Sequence, residues 1–115
     1  IVFNTNAKGE KVPYLALGSP GGSRIINFVA NALIRVLDWN VDLQSAFDST
    51  HIINRFGRME LEQDTAAVEW AKDFRTMGYS TSEQDINSGL HGVIFQENGL
   101  FGAADKRREG TVKGL

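Results

Sequence analysis

Leu17-Gly18-Ser19-Pro20-Gly21-Gly22-Ser23-Arg24-Ile25-Ile26 is the stretch from which the rest of the chain can be read. The β-prone run Val12–Leu17 enters a glycine turn, and the turn opens into a segment of helical periodicity. Two adjacent glycines let backbone N–H groups point outward with no Cβ in the way. The start of the following helix adds partial positive charge at the same spot. Pro20 stiffens the approach, Ser23 is placed to cap the helix, and Arg24 opens its polar stripe. Such a corner suits the holding of a negatively charged oxygen, because its donors are in position before charge develops. Read without its neighbours, Gly21-Gly22 is more often simply a tight strand-to-helix connection, and it is the neighbours that move the balance.

Other glycine motifs do not fit. A P-loop needs Lys after its last glycine, where this chain has Ser23, and the dinucleotide fingerprint G-x-G-x-x-G is absent. A nucleophile elbow needs G-x-S-x-G, but Leu17 occupies the first glycine position, so Ser19 is not an esterase nucleophile by pattern.

Outward from the corner, Ile1–Phe3 and Val12–Leu17 flank a turn-rich segment and predict a hairpin. From Ser23 to about Trp39, Arg24, Asn27, Asn31, Arg35 and Asp38 form one polar stripe on an otherwise apolar helix, which predicts burial on most sides. Asn40 is placed to cap a second helix with Leu43, Ala46 and Phe47 on one face. His51–Ile53 and Met59–Leu61 read as short strands, and Asp64 as the cap of a third helix. The buried stripe of that helix is Ala67, Trp70, Ala71, Phe74 and Met77, and Gly78 is its stop. Tyr79–Gln84 reads as a strand. Gly89–Gln96 and Leu100–Ala104 pair as a hairpin across Glu97-Asn98-Gly99. Strands and helices mix without strict βαβ alternation, so an α+β layered fold is expected. No linker divides residues 1–115, which read as a single domain.

The totals bound the partners. The chain has 115 residues and a net charge of −2, which argues against nucleic acid or an anionic membrane. It has no cysteine, which excludes thiol catalysis and thiolate metal sites. No apolar run reaches membrane-spanning length. His51 and His91 stand far apart without a ligand spacing, so both are expected to be structural or exposed and no metal or other cofactor is implied. Trp39, Trp70 and Phe74 fit core positions. Glu60, Glu62 and Asp64 suit a helix N-terminus.

Gly18-Ser19-Pro20-Gly21-Gly22-Ser23-Arg24-Ile25-Ile26 resembles the G-S/T-P-G-G-S-R-I-I run of the γ-glutamyltranspeptidase family. Gly102-Ala103-Ala104-Asp105-Lys106-Arg107-Arg108-Glu109-Gly110 is similar to that family's terminal G-A-A/S-D-P-R-R-x-G, with Lys106 in place of Pro. Leu43–Asp48 stands where members carry a short helix, and Gly89-Leu90-His91 departs from their polar pair after the serine.

The resemblance implies an αββα N-terminal-nucleophile hydrolase, of which this chain is the C-terminal portion of the small subunit. The partners it implies are the large subunit and the N-terminal part of the small subunit, a heterodimer cut from one precursor. It implies cleavage of glutathione-like γ-glutamyl compounds, with transfer of the acyl group to water or an amine. Gly21 and Gly22 carry over as oxyanion-hole donors, and Arg107 as an ion-pair partner that pins the tail. The nucleophilic Thr is expected upstream of Ile1, since Thr5 has neither the position nor the motif, so the segment alone is expected to be inactive. Members are commonly exported, which implies periplasm, secretion or the cell surface. Two other readings stay open from the residues: a stand-alone anion-binding domain, and an inactive relative or acylase of the same fold.

Overall fold

A computed structural model describes residues 1–114. The chain divides into two compact units: residues 1–48 with the chain from Ser88 onward, and residues 49–87.

The larger unit is built on a four-stranded antiparallel sheet whose strands run, from one edge to the other, Val2–Thr5, Lys11–Gly18, His91–Gln96 and Gly99–Ala104. Strand β1 (Val2–Thr5) and β2 (Lys11–Gly18) form the expected hairpin, with a register shift between Val2 and Phe3. Strand β6 (His91–Gln96) pairs with β2 and, across the Glu97–Gly99 turn, with β7 (Gly99–Ala104). Helix α1 (Ile25–Leu37) contacts β2, and α2 (Leu43–Asp48) contacts both α1 and β7. The core of this unit is Leu15, Phe28, Ala32, Val36, Leu43, Ala46, Phe47, Leu90, Ala103 and Ala104. Phe47 and Leu43 are fully buried, as the shared face of α2 requires.

Two expectations for these helices need correction. Helix α1 is buried along the single stripe Phe28, Ala32 and Val36, while Ile26 is 77% exposed and Ile34, Leu37 and the following Trp39 also reach solvent. Its packing neighbours cover one face only, and Trp39 lies beyond the last helical turn. The cap of α2 is Asp42, not Asn40: Asp42 Oδ1 accepts from the Ser45 N–H at 3.0 Å. Asn40 sits instead in the left-handed region, at φ 53°, inside the turn. The Ser45 side chain and N–H hold the Asp42 carboxyl below the usual carboxylate range.

The smaller unit holds β3 (Ile52–Arg55), β4 (Arg58–Glu62) and β5 (Ser80–Gln84). The pair β3–β4 is antiparallel and β4–β5 parallel. A parallel pair needs a crossover, and it runs through a 3₁₀ helix (Ala66–Trp70) continuing into α3 (Ala71–Thr76). Met59, Leu61 and Ala67 form the core, with Ile52, Ala71 and Phe74 packed on it. Thr65, not Asp64, caps the crossover, its side chain accepting from the Ala67 N–H at 3.2 Å. Asp64 is left-handed, at φ 57°. Trp70 and Met77 are 54% and 68% exposed rather than buried. The tighter 3₁₀ winding, about three residues per turn, rotates these positions away from the face a continuous α-helix would give them.

Glu60 and Glu62 are buried on β4, not at a helix start. Glu60 pairs with Arg55 at 3.5 Å, and Glu62 accepts from the His51 N–H at 2.8 Å and from Thr50 Oγ1 at 3.3 Å. His51 is buried, whereas His91 is exposed with Nδ1 3.1 Å from the Gly89 carbonyl. No helix among the described residues is long and apolar enough to cross a membrane.

Candidate functional site

Strand β2 ends at Gly18, and the chain turns through Ser19, Pro20 and Gly21 into a 3₁₀ turn (Gly22–Arg24) that leads into α1. Gly21 takes φ 140° and Gly22 φ 60°, both conformations that L side chains rarely adopt. A Cβ on Gly21 would lie 2.6 Å from Cε2 of the buried Phe28, so the Phe28 ring floors the turn. Among the described residues, nothing lies within 4 Å of where a Cβ on Gly22 would project. Gly21 is half-buried and Gly22 exposed.

The carbonyls of Pro20, Gly21 and Gly22 are engaged. Ser19 Oγ donates to the Pro20 carbonyl at 2.7 Å, Arg24 N–H to the Gly21 carbonyl at 3.2 Å, and Ile25 N–H to the Gly22 carbonyl. The amides are not: among the described residues neither the Gly21 nor the Gly22 N–H donates a hydrogen bond. In a trans peptide the C=O and N–H of one plane point in opposite directions. Fixing the Pro20 and Gly21 carbonyls therefore fixes the directions of the Gly21 and Gly22 N–H groups. No acidic side chain lies in the first turn of the 3₁₀ segment or of α1, so the positive end of the helix is not locally neutralised. Ser23 does not serve as the expected cap: neither helix start has a side-chain cap bond, because the 3₁₀ turn replaces it.

Behind the turn stands the start of β6. Gly89 N–H donates to Ser19 Oγ at 3.1 Å. A Cβ on Gly89 would lie 2.9 Å from Pro20 Cγ and 3.1 Å from Arg108 Cδ, so glycine is what allows Pro20 to approach. The neighbouring Ser88 Oγ donates to the buried Asp105 carboxylate. Asp105 also caps a short 3₁₀ turn (Lys106–Arg108), accepting from the Arg107 N–H at 2.9 Å and from Arg107 Nη1 at 3.2 Å. Lys106, which stands where the resembled motif has Pro, is exposed and pairs with Asp48 at 3.3 Å. Gln44 closes the same region: its Nε2 donates to the Ala104 carbonyl at 3.0 Å and its Oε1 accepts from the Ala104 N–H at 3.3 Å. Burial lowers the Arg35 guanidinium from the usual arginine range, and the nearby Arg107 charge adds to that.

The structure thus brings Gly21, Gly22 and the Arg107 ion pair into one unit. Reasoning from sequence passed over Ser19 beyond its failure as a nucleophile, and passed over Ser88 and Gly89. A hydroxyl directly before Pro-Gly-Gly was the available signal for the first.

Comparisons with known proteins agree in one direction. The family described as gamma-glutamyltranspeptidase matches residues 1–115. The glutathione hydrolase proenzyme of Bacillus subtilis (strain 168) is 29% identical over 106 residues, covering 90% of this chain and 18% of the relative. Among solved structures, a gamma-glutamyltranspeptidase from Pseudomonas nitroreducens is similar with TM-score 0.79 and 23% identity, over 99% of this chain and 60% of that one. A transpeptidase enzyme from Bacillus anthracis is similar with TM-score 0.77 and 22% identity, over 92% of this chain and 67% of that one. The chain spans about a fifth of the length of the curated relative. Its α+β fold is that of part of an N-terminal-nucleophile hydrolase. On its motifs, its fold and the full-length family match, the chain belongs to the gamma-glutamyltranspeptidase family.

Proposed function

We propose that this chain supplies the oxyanion hole of an enzyme that cleaves the γ-glutamyl bond of glutathione and related compounds. One observation carries the reading: among the described residues the Gly21 and Gly22 amides are unengaged while the carbonyls of their own peptide planes are held. A nucleophilic hydroxyl, that of a threonine at a freed N-terminus by family resemblance, adds to the γ-glutamyl carbonyl carbon. The carbonyl π pair moves onto oxygen, and the two N–H groups receive that charge. The freed N-terminal amine takes the hydroxyl proton and hands it to the departing nitrogen, so that collapse of the tetrahedral intermediate breaks the C–N bond, expels the neutral amine and leaves an acyl-enzyme. Water or the amine of an amino acid or peptide then takes the acyl group. Each such donor contributes about 3–4 kcal/mol to lowering the barrier.

The nucleophile and the residues that grip the glutamyl moiety come, in this reading, from the large subunit and the N-terminal part of the small subunit. The word proenzyme in the name of the Bacillus subtilis relative supports a single precursor. Residues 1–115 on their own are expected to be inactive. A periplasmic, secreted or cell-surface address follows the habit of the family.

Glutamate release from glutathione by the full-length protein tests the proposal. Gly22→Ala should lower kcat by about 10²–10³ with little change in KM, because relief of the strain a side chain bears at φ 60° turns the residue 22 N–H away from charge that exists only in the transition state. Unchanged turnover in that variant contradicts the assignment.

A further inference from the structure

We infer that Ser19 is a positioning residue that sets the direction of the oxyanion-hole amides, and that Gly89 holds Ser19 in the pose that does so. The inference rests on the proposed function. Ser19 Oγ accepts one hydrogen bond, from the Gly89 N–H at 3.1 Å, and donates one, to the Pro20 carbonyl at 2.7 Å. The two bonds divide the labour. The first anchors the hydroxyl to the sheet at the start of β6, seventy residues away in sequence. The second fixes the plane of the Pro20–Gly21 peptide and so turns the Gly21 N–H away from Ser19.

The next peptide plane follows the same logic, with the Arg24 N–H holding the Gly21 carbonyl at 3.2 Å. That bond lies inside the turn and needs no side chain. The first rests on the Ser19 hydroxyl, because the backbone offers the Pro20 carbonyl no donor among the described residues. Gly21 carries no side chain to resist rotation of that peptide. Without the hydroxyl, the plane can swing and the Gly21 amide loses its aim.

A hydroxyl acting this way matters most when charge develops on the substrate oxygen. Removing it should lower kcat while leaving KM nearly unchanged, and restoring a hydroxyl at the same position should recover the rate. A merely structural role would show neither the split nor the recovery.

The test uses the full-length protein with glutathione, and in parallel a γ-boronate analogue of glutamate, which becomes a tetrahedral anion on a nucleophilic hydroxyl. Ser19→Ala is expected to lose roughly ten- to a hundredfold in kcat, with boronate affinity falling in proportion and KM within about twofold. Ser19→Thr should return both to within a few-fold of the parent. Should Ser19→Ala fail to accumulate as folded protein, Ser19→Cys, similar in shape but a weak donor, carries the same expectation. Parent-like kcat and boronate affinity in Ser19→Ala, where Gly22→Ala is impaired, overturn the clamp and leave the oxyanion assignment standing. A rise in KM that accounts for the whole loss, or no recovery in Ser19→Thr, overturns it as well. A parent protein that neither turns over glutathione nor binds the boronate contradicts the functional reading, and this inference with it.

Discussion

Arg107 Nη1 donates to the carbonyl of Phe47 at 3.0 Å, joining the C-terminal 3₁₀ turn to the last turn of α2 across sixty residues of sequence. The same nitrogen reaches Asp105 Oδ1 at 3.2 Å, where the carboxylate side chain is 1% exposed. One guanidinium thus satisfies an orphan helix carbonyl and a buried negative charge together.

Removing that guanidinium should be costly. Arg107→Ala strips a partner from a buried carboxylate and is expected to destabilise the protein by about 3–5 kcal/mol in urea titration. Relief of the like charge beside Arg35 offsets a small part of this. Arg107→Ala with a parent-like urea midpoint contradicts the pinning of the tail.

The two glycines of the turn should respond differently. Gly21→Ala drives a Cβ to 2.6 Å from the Phe28 ring at a backbone angle that resists it, so loss of thermal stability should dominate. Gly22→Ala meets open space and bears only the left-handed strain, about 1–2 kcal/mol, so its effect falls on turnover. Thermal melts beside steady-state kinetics separate the two.

Gly89→Ala should disturb the turn from behind. Its Cβ meets two Pro20 ring atoms and Arg108 Cδ at 2.9–3.1 Å, so Pro20 must shift by some tenths of an ångström. Overpacking of this kind costs about 1–3 kcal/mol. A crystal structure of the variant should show Pro20 displaced and the Ser19–Gly89 bond lengthened, and coordinates unchanged at both would contradict the contact.

The cap of α2 gives a pH signature. Bonding to Ser45 lowers the Asp42 carboxyl from its ordinary value, so the folded form binds its proton less readily than the unfolded chain. The stabilisation is complete above the unfolded value, about 3.9, and is lost as pH falls through the lower folded value. Asp42→Asn removes this dependence. The melting temperatures of parent and variant should therefore converge below about pH 4, and parallel curves through that range would contradict it.

The ladder of elements was legible because its signals are local. Asn98-Gly99 announced the β6–β7 hairpin, and Leu43, Ala46 and Phe47 announced the buried face of α2. The helix starts were misread where a left-handed residue intervened: Asn40 and Asp64 have capping side chains, yet Asp42 and Thr65 do the capping. Composition suggested that α1 is buried nearly all round, but burial depends on which layers surround a helix, and the period of its own residues does not state that. Gly21 and Gly22 stood out because Pro20, Ser23 and Arg24 flank the double glycine at a strand-to-helix junction. Ser19, Ser88 and Gly89 did not, since their roles arise from bonds reaching seventeen and seventy residues along the chain.

The central claim is that the Gly21 and Gly22 amides receive the oxyanion. A crystal structure of the full-length protein with the γ-boronate analogue of glutamate bound tests it most directly. One boronate oxygen should lie about 2.7–3.1 Å from both nitrogens. An adduct whose oxygens lie out of reach of both, with the two N–H groups bonded only to solvent, would contradict the claim.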